Sequence, residues 1–339
     1  MDLQSAIRTI VEGHDLSFDA MQEVMTIIMS GDATPAQIAG FLIGLRMKGE
    51  TIDEIAAAAT VMRSFAAHVE VSSSPLIDTC GTGGDGIGTF NISTAAAFVT
   101  AAAGGRIAKH GNRAASSKSG SADVLEAAGT KIDLNPQQVA SCIDEVGVGF
   151  MFAPAHHGAT RHAVGPRREL GTRTLFNVLG PLTNPASAER QLMGVFDRAW
   201  VKRAAQVLDR LGIEHAMVVY AADGMDEISI GAETFVAEVH DGTINEYTLQ
   251  PETFGIEKQS IEALAAGDAE QSLAIINRVF AGEPGPARDI VALNAGAAIY
   301  VGGLSESLAD GVQTAIARID SGDAADCFRK FVAYTQSFA

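Results

Sequence analysis

Four stretches of this 339-residue chain concentrate residue types able to act on an anionic substrate. The first is Gly81-Thr82-Gly83-Gly84-Asp85, which follows a short apolar run and precedes an Ala-rich one. Glycines in a strand-to-helix turn let backbone N–H groups crowd around an anion. The helix opening near Asn91-Ile92-Ser93-Thr94 turns its positive end to the same place. The run reads either as a phosphate or pyrophosphate cradle or as a plain Gly-rich turn. It is not a Walker A loop, since no GKS or GKT follows, and it lacks the GxGxxG dinucleotide fingerprint.

The second stretch, Lys109-His110-Gly111-Asn112-Arg113-Ala114-Ala115-Ser116-Ser117-Lys118-Ser119-Gly120-Ser121, gathers four cations or titratable cations and four hydroxyls in thirteen residues. In a chain of net charge −17 such a composition fits a bound oligoanion, with Lys for charge and Ser for directional donors. The third is Asp226-Glu227, just past the apolar run Ala216–Tyr220. Adjacent carboxylates in a strand-end loop hold Mg²⁺ when a substrate phosphate completes the shell; an ordinary acidic turn has the same appearance. The fourth runs from His156-His157 to Arg173 and holds three His and four Arg. No metal-ligand spacing is present, so a basic wall for an acidic substrate is the more economical reading. Cys80 borders the glycine loop without an evident base, and reads as a small buried residue.

The elements that must position these groups follow from periodicity and punctuation. Residues 1–70 read as helices only. Gly31 stops one, Thr34-Pro35 starts the next, and Thr51 with Glu54 forms a capping box for a third that runs to about His68. Strands are expected at Leu76–Thr79, at a run ending in KHGN, and at Val148–Phe152, Gln191–Phe196 and Ala216–Tyr220. Helices alternate with them, near Ser93–Ala103, Ser121–Ala128 and Val201–Leu211, which predicts an α/β fold with a largely parallel sheet. Asp241-Gly242 between two further strand candidates signals a hairpin, and the chain beyond about Ser260 reads as mainly helical.

At roughly 150 residues per domain, the length suits two domains. Asp and Glu number 41 against 24 Lys and Arg, which argues against a general nucleic-acid binder. Three widely spaced cysteines make no disulfide framework, and neither a basic–apolar leader nor a membrane-length apolar run is seen, so a cytoplasmic protein is expected.

The runs GTGGDGIGTFNIST, KHGNRAASSKSGSADVLEAAG, RRELGTRTLFNVLGPLTNPA and DGMDEIS occur in the order in which they stand in anthranilate phosphoribosyltransferases. From about residue 5 to its end the chain resembles that family. Ala128, where Leu is common, and Gly165-Pro166 before Arg167 are small departures. The resemblance implies a small helical domain, residues 1–71 with a return segment near 165–188, and a large α/β domain, residues 72–339. The fold is similar to that of pyrimidine nucleoside phosphorylases. It implies transfer of a 5-phosphoribosyl group from phosphoribosyl pyrophosphate to the amine of anthranilate, in tryptophan biosynthesis, by a homodimer that needs Mg²⁺, with two ions per site. Carried over residue by residue, Gly81, Gly84, Asp85, Thr89, Asn91, Ile92, Ser93, Thr94, Lys109, His110, Gly111, Asn112, Arg113, Ala114, Ala115, Ser116, Ser117 and Ser121 would contact the donor. Gly81, Asn112 and Arg167 would contact anthranilate. Ser93, Asp226 and Glu227 would hold the metal. No acid–base residue is implied; Lys109, His110 and Asn112 would position. A nucleoside phosphorylase, or a non-catalytic relative that binds nucleic acid, is the rival reading; the acid pair, Arg167 and the charge favour the transferase.

Overall fold

A computed structural model describes residues 1–114 and 118–338. The expected donor contacts Ala115, Ser116 and Ser117 lie outside the described residues. The chain opens with four helices, α1 (Leu3–Val11), α2 (Phe18–Ser30), α3 (Pro35–Lys48) and α4 (Ile52–Ser64). Side-chain caps start each of them, at Asp2, Ser17, Thr34 and Thr51, and Gly31 closes α2 in the left-handed region at φ +84°. Helix α4 ends earlier than its apolar pattern predicts. The Ala67 and Val69 N–H groups donate to the His156 and Pro185 carbonyls (2.8 and 3.1 Å), which draws the chain out of the helical path.

The remainder builds one seven-stranded sheet from β1 (Leu76–Thr79), β2 (Arg106–Gly111), β3 (Val148–Phe152), β4 (Arg190–Gly194), β5 (His215–Ala221), β6 (Thr234–His240) and β7 (Thr243–Leu249). Its order is β3-β2-β1-β4-β5-β6-β7. The first five strands in that order pair in parallel, and the β6–β7 hairpin adds an antiparallel edge. Between the strands run α5 (Ile92–Ala102), α6 (Ser121–Ala127), α7 (Pro136–Val146), α8 (Ala153–His156), α9 (Arg161–Leu170), α10 (Phe176–Leu179) and α11 (Ala199–Arg210). After β7 come α12 (Ala269–Phe280), α13 (Pro286–Val301), α14 (Leu308–Asp320) and α15 (Asp323–Gln336). Among the described residues no helix is long and apolar enough to cross a membrane.

Burial defines two cores. One joins α5, α7 and α12–α15 to one face of the sheet, where Phe98 meets Phe280, Phe328 and Phe331 at 4.8–6.3 Å between ring centres. The other joins α1–α4 and α11 to the opposite face, through Val195, Ala216, Val218, Ala237 and Val239, with Ala163 and residues 175–182 added from the middle of the chain. Strand order reverses at β1, whose neighbours β2 and β4 lie on either side. Ligands of such sheets bind beyond the carboxyl ends of the strands at this reversal.

Candidate active site

The glycine loop leaves β1 at that reversal and is pinned against β4 and the acidic segment. The Thr82 N–H donates to the Gly194 carbonyl (2.9 Å), the Phe196 N–H to the Thr82 hydroxyl (3.0 Å), and the Gly83 N–H to Asp226 Oδ2 (2.8 Å). Small residues are required here for space. A Cβ on Gly81 would stand 3.0 Å from Asp226 Oδ2, and one on Gly194 only 1.6 Å from the Asp226 carbonyl oxygen. Gly83 and Gly84 also take left-handed backbone (φ +64° and +81°). Arg173 donates to the Gly84 carbonyl (2.5 Å) while its guanidinium covers the Phe196 ring at 3.9 Å. Farther along, Thr89 bridges to Ala265 and the Phe90 N–H donates to the Leu264 carbonyl (2.8 Å).

Helix α5 begins beside this loop. Asn91 stands at its cap position without capping it; the side chain instead accepts from Ser272 (2.8 Å) and Ser119 (3.2 Å). The first-turn N–H groups therefore lack a side-chain cap, while the Ser93 N–H faces Glu227. Lys109, 3 % exposed on β2, reaches to β1 and α5. Its Nζ donates to the Thr79 carbonyl (2.5 Å) and lies 3.4 Å from the hydroxyls of Thr79 and Ser93. Ile92 and Thr94 are buried behind these groups.

Asp226 and Glu227 are half-buried and near Asp85. Burial, then repulsion within this trio, raises both carboxyls well above the usual carboxylate range; the Gly83 N–H, Lys109 and the Ser93 N–H pull the other way. Loop, helix end, lysine and acid pair are thus joined by hydrogen bonds and charge into one cluster. Cys80 at its edge is half-buried and not fully enclosed as its sequence context implies; burial and the neighbouring carboxylates push its thiol up, away from thiolate character.

The basic segment touches this cluster through Arg173 at Gly84 and through His157 beside His110. The rings of His110 and His157 stand 5.0 Å apart, and among the described residues buried nitrogens of His110, His156 and His157 find no well-formed hydrogen bond. Burial and mutual repulsion lower His110 to about 3 and His157 to about 4, so both are neutral near pH 7. Arg167 on α9 is half-buried, its guanidinium 5.0 Å from the centre of the Phe176 ring. Among the described residues no carboxylate pairs with it. Asn112 is exposed at the rim, and its carbonyl accepts from the Ala122 N–H (3.2 Å). Arg113 turns outward to Asp123 and Glu126 on α6. Gly111 sits under Ser121, whose Oγ would be 2.1 Å from a Cβ there; the Ala114 N–H is held by Asp123 (2.9 Å).

Two residues that sequence reasoning missed stand behind this site. Asp78, 1 % exposed on β1, accepts from Asn184 Nδ2 (2.7 Å) and from the His110 N–H (3.4 Å), and Asn184 also donates to the Ala108 carbonyl (2.8 Å). Burial raises the Asp78 carboxyl to about 6, against the pull of Asn184 and Lys109. A charge in a four-residue strand otherwise apolar but for Thr79 was the available signal.

Residues 73–325 match the glycosyl transferase family a/b domain, and residues 4–66 its helical bundle domain. The anthranilate phosphoribosyltransferase of Thioalkalivibrio sulfidiphilus is 60 % identical over 99 % of this chain and 100 % of its own length. This chain belongs to the anthranilate phosphoribosyltransferase family. A second member, from a Marinomonas species, is 57 % identical over 100 % of the chain and 98 % of its own. Among solved structures of the family, that from Thermus thermophilus superposes with a TM-score of 0.93 at 44 % identity, covering 98 % of this chain and 99 % of its own. The Saccharomyces cerevisiae enzyme in complex with PRPP and Mg superposes at 0.90 with 25 % identity, covering 99 % and 98 %. The family's a/b domain and helical bundle domain are both present here, and the glycine loop follows β1, where the strand order reverses.

Proposed function

We propose that this enzyme transfers the 5-phosphoribosyl group of phosphoribosyl pyrophosphate to the amine of anthranilate, releasing pyrophosphate and N-(5-phosphoribosyl)anthranilate. The observation that carries the reading is the meeting of the buried Lys109, the uncapped start of α5 and the Asp226–Glu227 pair on the glycine loop.

On this reading Gly81, Gly84, Asp85, Thr89 and residues 91–94 bind the donor's pyrophosphate and ribose, with Lys109–Ser117 and Ser121 on its phosphates. As the bond to C1 of the ribose breaks, pyrophosphate gathers negative charge; Lys109 and backbone N–H groups of the loop stabilise it. Anthranilate's aromatic amine is neutral at pH 7 and needs no strong base. The residues' main task is to hold amine and C1 in line. His110 and Asn112 position, while Arg167 takes the carboxylate through its planar fork.

Mg²⁺ fits the donor set. Asp226, Glu227 and the Ser93 hydroxyl are all oxygen ligands, and like charges that raise one another's proton affinity are relieved by a dication. Bound there, Mg²⁺ would neutralise charge on the pyrophosphate oxygens. Two ions per site, one at Ser93 and one at the acid pair, is the fuller form of the proposal.

We propose also that two copies pair through the helical part, residues 1–71 with 165–188. Val11, Met47 and Val164 are exposed at 71 %, 83 % and 43 % on α1, α3 and α9, which pack side by side.

Loss of anthranilate fluorescence on adding phosphoribosyl pyrophosphate and Mg²⁺ tests the reaction. A loss that needs the donor and is abolished by EDTA is expected. No loss from folded protein would overturn the assignment, and nucleosides with inorganic phosphate would be assayed next.

A further inference from the structure

A second group of metal-type donors stands at the other end of the sheet. His215 opens β5 and His240 closes β6, and the antiparallel pairing sets them directly opposite one another. Glu238, two residues back on β6, shares their face. One donor atom from each of the three lies within 4.8 Å of the other two. The chain reaches Asp226 only after β5 has run from His215 to Ala221, roughly 20 Å at about 3.3 Å per residue. The cluster is therefore separate from the candidate active site.

We propose that His215, Glu238 and His240 form a binding site for a transition-metal dication of the Zn²⁺ type. Two imidazoles and one carboxylate are a Zn²⁺ donor set, whereas Mg²⁺ and Ca²⁺ select oxygen ligands. The first two donors are already together: His215 Nε2 is 2.7 Å from Glu238 Oε1. The carboxylate is braced from behind, because the Tyr247 hydroxyl donates to Glu238 Oε2 (2.7 Å), as outer-shell groups of metal sites do. Tyr300 of α13 packs edge-on against the His215 ring at 5.1 Å and fixes its plane.

His240 supplies the third donor from the solvent side. Its ring stacks on His215 at 4.2 Å with planes 7° apart, and its side chain is 55 % exposed. A ring nitrogen binds a metal in the plane of its ring, so coordination turns His240 out of the stack, and its exposure permits that. Asp241 stands 3.8 Å from His240, and the nearby Arg190–Glu214 pair adds no net charge. The surroundings therefore favour a dication. With three protein ligands, the fourth position is left to water.

Co²⁺ titration of the full-length, metal-stripped protein tests this. A tetrahedral site with nitrogen donors gives Co²⁺ an intense visible absorption, and an octahedral all-oxygen site such as the acid pair leaves it pale. A single equivalent with the intense band, displaced by Zn²⁺, is expected. Tyr247→Phe should weaken it roughly 10–100-fold, the usual cost of an outer-shell change. His240→Ala should weaken it further while Mg²⁺-supported transfer stays at the wild-type rate. An absent band at excess Co²⁺, or a band of equal affinity in His240→Ala, overturns the proposal.

Discussion

Arg167 carries the clearest consequence of a single side chain. It is half-buried over Phe176, and burial lowers its proton affinity, so a cation is held there at some cost. An anionic substrate group would repay that cost. Arg167→Ala should lower kcat/KM for anthranilate roughly ten- to hundredfold, the equivalent of about 1.5–3 kcal/mol for a charge-assisted hydrogen bond, and leave KM for the donor unchanged. Steady-state kinetics with each substrate varied in turn decides it; equal losses on both would make Arg167 structural. Lys109 and the acid pair, which the structure brings together with the glycine loop, were legible in the sequence because each stands within a short stretch of unusual composition; Arg167 was singled out on the same ground and its role is a proposal. Asp78 and Asn184 were not. They are 106 positions apart, and only the folding of β1 against the segment before β4 joins them.

Among the elements, the narrowest place is the crossing of β4 by the acidic segment. A methyl group on Gly194 would collide with the backbone of Asp226, which cannot yield as the tip of a flexible side chain can. Gly194→Ala should cost about 1–3 kcal/mol of stability and raise the Mg²⁺ concentration needed for half-maximal activity, by moving Asp226 and Glu227 away from the glycine loop. Urea denaturation and a Mg²⁺ titration check the two effects; unchanged curves in both would show that the crossing relaxes freely. Periodicity and turn signals located most elements, including β1 and β3 to the residue and the β6–β7 hairpin. The ends they misjudged have tertiary causes, as where Ala67 and Val69 bond across to residues 156 and 185 and cut α4 short.

For the molecule as a whole, association is the first issue. Val11 lies against Gly44, one turn before Met47, so the two exposed apolar side chains form one patch at the ends of α1 and α3. Light scattering at micromolar concentration should give a dimer for the wild type and a monomer for Met47→Glu, whose added charge faces solvent in the single chain. A wild-type monomer would remove the pairing proposal. The two cores have a different consequence, for inheritance. Neighbouring residues on β4 and β5 serve opposite cores: Leu192 and Met217 face one, Met193 and Val218 the other. The helical bundle is thus completed by residue 163, by residues 175–182 and by three strands of the sheet, all encoded far from its own helices. A recombination event that exchanged only the first 71 residues between distant relatives would import one half of a fitted surface and leave the other half behind. The bundle helices and β4–β6 are bound to drift together, and lineages that separate them must repack both at once.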